Sequence, residues 1–160
     1  MDELKALLSD TIAELERVGA VSEALGEWRQ ARGIPGLSVA GWRPKPRLVP
    51  VGRAWRLGVV LLDSDGRIFA TGEVTRAVEP QVAVTNRSAE AERKRELRRA
   101  AVRGKFAEGE SINLDWRRLD HIEPPLSLSP SGEVLVRLGS GRDIPLATYL
   151  ADRVALFSLD

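Results

Sequence analysis

At 160 residues, with 43% hydrophobic and 29% charged side chains, the chain has the composition of an ordinary globular protein and the length for a single core. It has no cysteine and one histidine, His121, which excludes disulfides, thiol nucleophiles, Cys-ligated metal sites and two-histidine zinc sites. A net charge of +1 gives no global argument for nucleic acid, no apolar run reaches the ~18 residues of a membrane span, and Asp2 and Glu3 stand where a secretory signal carries positive charge. A single cytoplasmic domain over residues 1–160 is therefore expected.

The charge is unevenly placed. Residues 1–27 hold seven acidic and two basic side chains, and residues 86–105 hold eight basic and three acidic. Residues 2–18 predict an amphipathic helix, with Leu4, Leu7, Leu8, Ile12, Leu15 and Val18 in one stripe and Gly19 as its stop. Residues 20–32 read equally as a short helix capped by Ser22 or as a strand, because Gly26 weakens the helix. The prolines and glycines of residues 33–50 predict an irregular connection, with Trp42 lying against the body.

Residues 53–75 predict the hairpin on which the sheet is built. Two apolar, β-branched runs flank Asp63-Ser64-Asp65-Gly66-Arg67, and a three-residue loop of Ser64, Asp65 and Gly66 fits a type I turn closed by a left-handed glycine. That register sets Leu61 opposite Phe69, Val59 opposite Thr71 and Gly58 opposite Gly72. It puts Val60, Leu62, Ile68, Ala70 and Val74 on one face and Trp55, Leu57, Val59, Leu61 and Phe69 on the other, so the first strand should be central. The facing glycines leave a shallow trough, where a packed helix is the favoured reading over a ligand. The Asp63 and Asp65 spacing is that of a calcium loop, but the glycine comes two positions early and Val74 occupies the place of the closing glutamate. The same turn resembles the opening of a Nudix hydrolase domain, yet Val78 stands where the first glutamate of that motif is needed.

Ser88 predicts an N-cap, with Glu90 and Glu92 in the first turn, arginines accumulating toward Arg103 and Gly104 at the end. Ala91, Lys94, Leu97, Ala101 and Gly104 give this helix a narrow face. Residues 111–114 read as a short strand. Residues 126–138 form a second hairpin about Ser129-Pro130-Ser131-Gly132. Asp143 then caps a last helix with Pro145 in its first turn and a core face of Leu146, Tyr149, Leu150, Val154 and Phe157.

Candidates for chemistry are few. A serine triad would have to use His121 with Asp115 or Asp120, and no serine sits in GxSxG. Glu108 and Glu110 are the closely spaced acids in a glycine-bearing loop, and with His121 they are the catalytic candidates, or with Asp115 a place for a divalent cation; a solvated loop and a structural histidine are the favoured readings. Gly139-Ser140-Gly141 resembles a phosphate cradle but matches neither GxxxxGK[ST] nor GxGxxG. The sequence specifies no metal-ligand set and no cofactor. Arg93, Arg95, Arg98, Arg99 and Arg103, with Lys94 among them and Arg87 and Lys105 flanking, are the anion-binding candidates. The favoured reading pairs these arginines with Glu92, Glu96 or the acidic first helix and leaves nucleic acid a disfavoured partner.

The blocks RAWRLGVVLL, ATGEVTRAVEP, RRAAVRGKFAEGESIN and PLATYLADRVAL resemble a family of small uncharacterised bacterial proteins, some labelled glutaminase, from Val51 onward. The resemblance implies amide hydrolysis only through that label. Serine-dependent glutaminases use a serine followed three positions later by lysine, and no serine here has that spacing.

Together these readings predict an α+β fold: an antiparallel sheet built on the hairpin at about 53–75, a second hairpin at about 126–138 and three helices packed on it. The leading function is a small non-catalytic protein that binds a protein, a metabolite or an acidic partner, without a membrane. The alternative is a small-molecule, amide-hydrolysing enzyme using Glu108, Glu110 and His121. Oligomeric state and the partner's identity are not specified by the sequence.

Overall fold

The computed structural model describes residues 1–30, 45–81 and 88–159. In chain order the elements are α1 (Asp2–Arg17), β1 (Glu23–Arg29), β2 (Arg47–Leu57), β3 (Val60–Leu62), β4 (Ile68–Ala70), β5 (Glu73–Arg76), α2 (Ala89–Arg103), β6 (Ser111–Leu114), β7 (Arg117–Arg118), β8 (Leu126–Leu128), β9 (Val134–Arg137), β10 (Asp143–Pro145) and α3 (Leu146–Phe157). The fold is α+β, its sheets dominated by antiparallel pairs, as the hairpin patterns require. The described residues form two compact units, Met1–Glu23 with Arg53–Gly72 and Trp116–Asp160, and Ala24–Gly52 with Glu73–Asp115. The chain passes from the second unit into the first within β2. No helix among the described residues is long and apolar enough to cross a membrane.

In the first unit the strand order is β2-β3-β4-β7, and a separate sheet has the order β10-β9-β8. The Asp63 hairpin has the expected register, Leu61 opposite Phe69 and Leu62 opposite Ile68. Its loop closes with Asp63 N–H on Arg67 O and Gly66 N–H on Asp63 O, and Gly66 has φ +80°. Buried Asp63 supplies what the loop lacks: Oδ1 accepts from Asp65 N (3.0 Å) and Arg67 N (2.8 Å), and Oδ2 meets Arg67 Nε at 2.6 Å. The guanidinium of Arg67 is pushed further up by that carboxylate first and by Asp65 next.

The same device closes the next two hairpins. Ser129 N–H bonds Glu133 O and Gly132 N–H bonds Ser129 O; Leu138 N–H bonds Arg142 O and Gly141 N–H bonds Leu138 O. Gly132 and Gly141 both have positive φ. Gly139-Ser140-Gly141 is therefore a hairpin loop joining β9 to β10, not a turn opening a helix. Asp143, expected to cap α3, is instead a strand residue paired with Arg137 at 2.8 Å, and α3 begins at Leu146 with Pro145 before it.

Two expectations about the first hairpin change. The apolar run through residues 53–62 is not one strand: it turns at Gly58 and Val59, so that Leu57 pairs with Val60 and Trp55 with Leu62. Gly58 has φ +70° while Val59 does not enter the left-handed region, the pattern of a type II′ turn. Reversing the chain there brings Trp55 and Leu57 to the face of Val60, Leu62 and Ile68, in one buried cluster with Leu8, Leu15 and Tyr149. After Gly72 the chain leaves the hairpin, and Val74 pairs with Asn113 of β6.

The trough expected at Gly58 takes a helix side chain. A Cβ on Gly58 would lie 2.1 Å from the Tyr149 hydroxyl. That hydroxyl donates to Leu57 O (2.8 Å) and accepts from Val59 N (2.9 Å), so α3 locks the turn at its two central peptides. Arg153 stacks over the Tyr149 ring at 5.0 Å. On the same side α1 packs against α3 through Leu8 and Leu15, and Trp55 Nε1 ties down Ala20 O at 2.8 Å.

In the second unit the order is β5-β6-β1-β2, with β6 antiparallel to β5 and parallel to β1 (Ala24 opposite Ile112). Residues 23–29 are thus strand, which settles the segment that read two ways, and the connection expected over 33–50 gives way to strand from Arg47. Trp42 and the possible sheet extension at 82–85 lie outside the described residues. Ser88 caps α2 by accepting from Ala91 N at 3.2 Å. Leu97, Ala100 and Ala101 bury the narrow face of that helix against Ala24, Leu48, Ala77, Ile112 and Leu114.

Candidate anion-binding site

The site follows from how closely α2 ends on β2. Gly104 caps the helix, and a Cβ there would sit 1.9 Å from Leu48 O, so a side chain is excluded by backbone rather than by a movable group. Leu48 itself is fully buried beneath Ala100 and Ala101. Small residues on the helix and glycine at its end therefore set Arg103 and Lys105 beside the start of β2. There Arg103, Gly104 and Lys105 join Arg47, Val49 and Pro50 of β2 and Arg29 and Gln30 of β1 around a groove of ≈ 850 Å³. Four cationic side chains line it, and no carboxylate among the described residues does.

Arg103 is oriented from behind. Its Nη2 donates to Pro46 O (2.8 Å) and to Glu96 Oε1 (2.9 Å), and Nε reaches Pro46 O at 3.3 Å. Glu96 is held below the usual carboxylate range, first by the hydrogen bond from Arg103, with burial opposing. Arg29, Arg47 and Lys105 have no ion-pair partner among the described residues. Their charges line the groove without a counter-charge inside it among the described residues, an arrangement that attracts anions. Gln30 adds an amide, and Val49 with Pro50 adds an apolar wall.

The remaining anion-binding candidates are arranged differently. Arg93 forms two hydrogen bonds to Glu73, Arg95 meets Glu92 at 2.6 Å, and Lys94 meets Glu90 at 2.9 Å. Arg99 lies between Glu92 (3.1 Å) and Glu96 (3.3 Å). Glu92 is lowered by its hydrogen bonds to Arg99 and then Arg95, and Glu90 by that to Lys94. Arg98 is exposed and has no ion-pair partner among the described residues. Arg87 lies outside them. Of the five named arginines only Arg103 reaches the groove, where Arg29 and Arg47 complete a set that sequence order scatters across three elements.

The catalytic candidates stand as follows. Glu108 is exposed, and Glu110 accepts from Ala107 N at 3.0 Å within its own turn; both belong to the second unit. His121 is exposed and belongs to the first unit, where neighbouring Asp120 pairs with Arg118. Asp115 has φ +53° at the end of β6. No group of three or more histidine and carboxylate side chains among the described residues is placed to hold a metal ion. The chain matches no protein-family model, no curated protein and no solved structure.

Proposed function

We propose that this is a non-catalytic cytoplasmic binding protein whose partner is an anion seated in the groove between the end of α2 and strands β1 and β2. One observation carries the reading: Arg29, Arg47, Arg103 and Lys105 converge on one concavity with no described carboxylate in its lining, while Arg93, Arg95 and Arg99 on the same unit face glutamates. Concavity with concentrated charge is what binding a specific anion needs, and an amphipathic helix alone needs no such groove. The resemblance to glutaminase-labelled proteins does not supply a competing chemistry, because a serine followed at three positions by lysine is missing from the chain. Purified protein is accordingly expected to release no ammonia from glutamine.

Retention on a phosphate-bearing cation-exchange resin tests the reading. With a net charge of only +1, non-specific retention is small, so the wild type should elute at distinctly higher salt than the Arg29→Ala, Arg47→Ala double variant. The Arg98→Ala, Arg142→Ala double variant, which removes the same charge but leaves the groove lining intact, should elute close to wild type. Co-elution of the groove variant with wild type would remove the basis of the proposal.

A further inference from the structure

Resting on the anion-binding reading above, we infer that the groove is built for a small ligand carrying a diphosphate, rather than for a nucleic-acid strand. Charge is the first argument. Four cations line the groove, and Glu96 behind Arg103 offsets one of them. The balance matches a diphosphate ester, which carries about three negative charges near neutral pH because its outer phosphate titrates as a phosphomonoester does.

The second argument is extent. A nucleic-acid strand needs positive charge that continues along its backbone, and single strands also need aromatic platforms for their bases. Among the described residues neither continues from this groove. Its described lining holds no aromatic residue, and along α2 the next cations are interleaved with Glu92 and Glu96, which would lie against the following phosphates. A volume of ≈ 850 Å³ is that of a small-molecule site.

The third argument is chemistry. Arg29, Arg47 and Arg103 present guanidinium groups, which bind phosphate oxygens in pairs, and Lys105 adds a point charge. Arg103 is already held by Pro46 O and Glu96, so less side-chain freedom is lost when it engages a ligand. Val49, Pro50 and Gln30 then receive whatever the diphosphate is attached to.

Titration calorimetry with inorganic phosphate, pyrophosphate, ADP and a thymidine oligonucleotide of about 12 residues decides the matter. The expected result is one site per chain, with pyrophosphate and ADP at least tenfold tighter than phosphate. The Arg29→Ala, Arg47→Ala variant should lose at least tenfold in affinity, and Arg98→Ala should be unchanged. Tighter binding of ADP than pyrophosphate would show the apolar wall at work, and equal binding would show that the diphosphate alone is recognised; both support the inference. Phosphate binding as tightly as pyrophosphate overturns it, as does an oligonucleotide that binds more tightly than pyrophosphate and loses that affinity in the Arg29→Ala, Arg47→Ala variant; in either case anion binding at the groove survives. If none of the four probes binds, the inference and the functional proposal fall together. Circular dichroism and the urea midpoint confirm that each variant is folded.

Discussion

Removing one oxygen atom, in Tyr149→Phe, should destabilise the first unit measurably. The ring is 2% exposed and its packing is unaffected, so the change isolates the two hydrogen bonds that hold the Gly58 turn. Leu57 O, which also accepts across the turn from its strand partner Val60, loses the second of two donors, at about 0.5–1.5 kcal/mol. Val59 N–H is only partly buried, so water takes over part of its bond and the loss is nearer ~0.5–1.5 kcal/mol. The sum is roughly 1–3 kcal/mol, or roughly 2–12 °C in Tm for a chain of this size. Urea unfolding followed by tryptophan fluorescence measures it, as a lower midpoint at constant slope. Gly58→Ala should cost at least as much, since a left-handed φ of +70° is strained for alanine and its Cβ falls 2.1 Å from the hydroxyl. In the double variant the clash is relieved, so its loss should be smaller than the sum of the two single losses. A loss below about 0.5 kcal/mol for Tyr149→Phe would mean that water already satisfies the turn, and the lock would be refuted.

Gly104→Ala should destabilise by about 2 kcal/mol or more, since the clash is with the Leu48 carbonyl and the helix end must lift; the same variant should weaken pyrophosphate binding. Asp63→Ala, which takes the acceptor from two loop N–H groups and leaves Arg67 with Asp65 alone, should lower stability by about 2 kcal/mol in a urea titration. Glu92, Glu96 and Asp143 are held below their ordinary pKa values by hydrogen bonds from Arg99, Arg103 and Arg137 respectively, so folded protein binds these protons less readily than unfolded chain. Their contribution is complete above the ordinary carboxylate range and is lost as pH falls from about 4 through the lowered values. Urea midpoints should accordingly be level from pH 7 to about 5 and fall below that, less steeply in Glu96→Gln.

What could be read from sequence was what short-range chemistry decides. Asp63 and Gly66 fix a loop by themselves, as Ser129 and Gly132 do, and Ser88 caps α2 within four residues. Gly58 escaped because valines and leucines on both sides of a two-residue turn make the same apolar run as a central strand, although a glycine followed by any residue is the type II′ signature. Asp143 was misplaced for a related reason: an aspartate two residues before a proline fits a helix start, and its strand pairing depends on Arg137 across the loop. The basic groove was only half legible. Arg103 and Lys105 lie together in the chain, but Arg29 ends a strand that read two ways and Arg47 sat in a stretch whose prolines argued against structure. Pairing of the other arginines was expected, and Glu92 and Glu96 do pair with them, while Glu73 was not among the partners considered.

The segments of the two units alternate along the chain, and this sets an order in time as the ribosome delivers them. All of the second unit has been made once Asp115 is added, whereas the first still lacks Trp116–Asp160. The unit that contains Met1–Glu23 is thus completed after the other. Leu8 and Leu15 emerge early and must wait, uncovered by α3, for a partner synthesised more than a hundred residues later. The Gly58 turn likewise precedes its tyrosine by 90 residues, a delay of about 5–18 s at typical elongation rates. Nascent chains stalled shortly after Asp115 would therefore carry α1 with its apolar stripe uncovered by α3, a surface prone to association until the remaining residues are added.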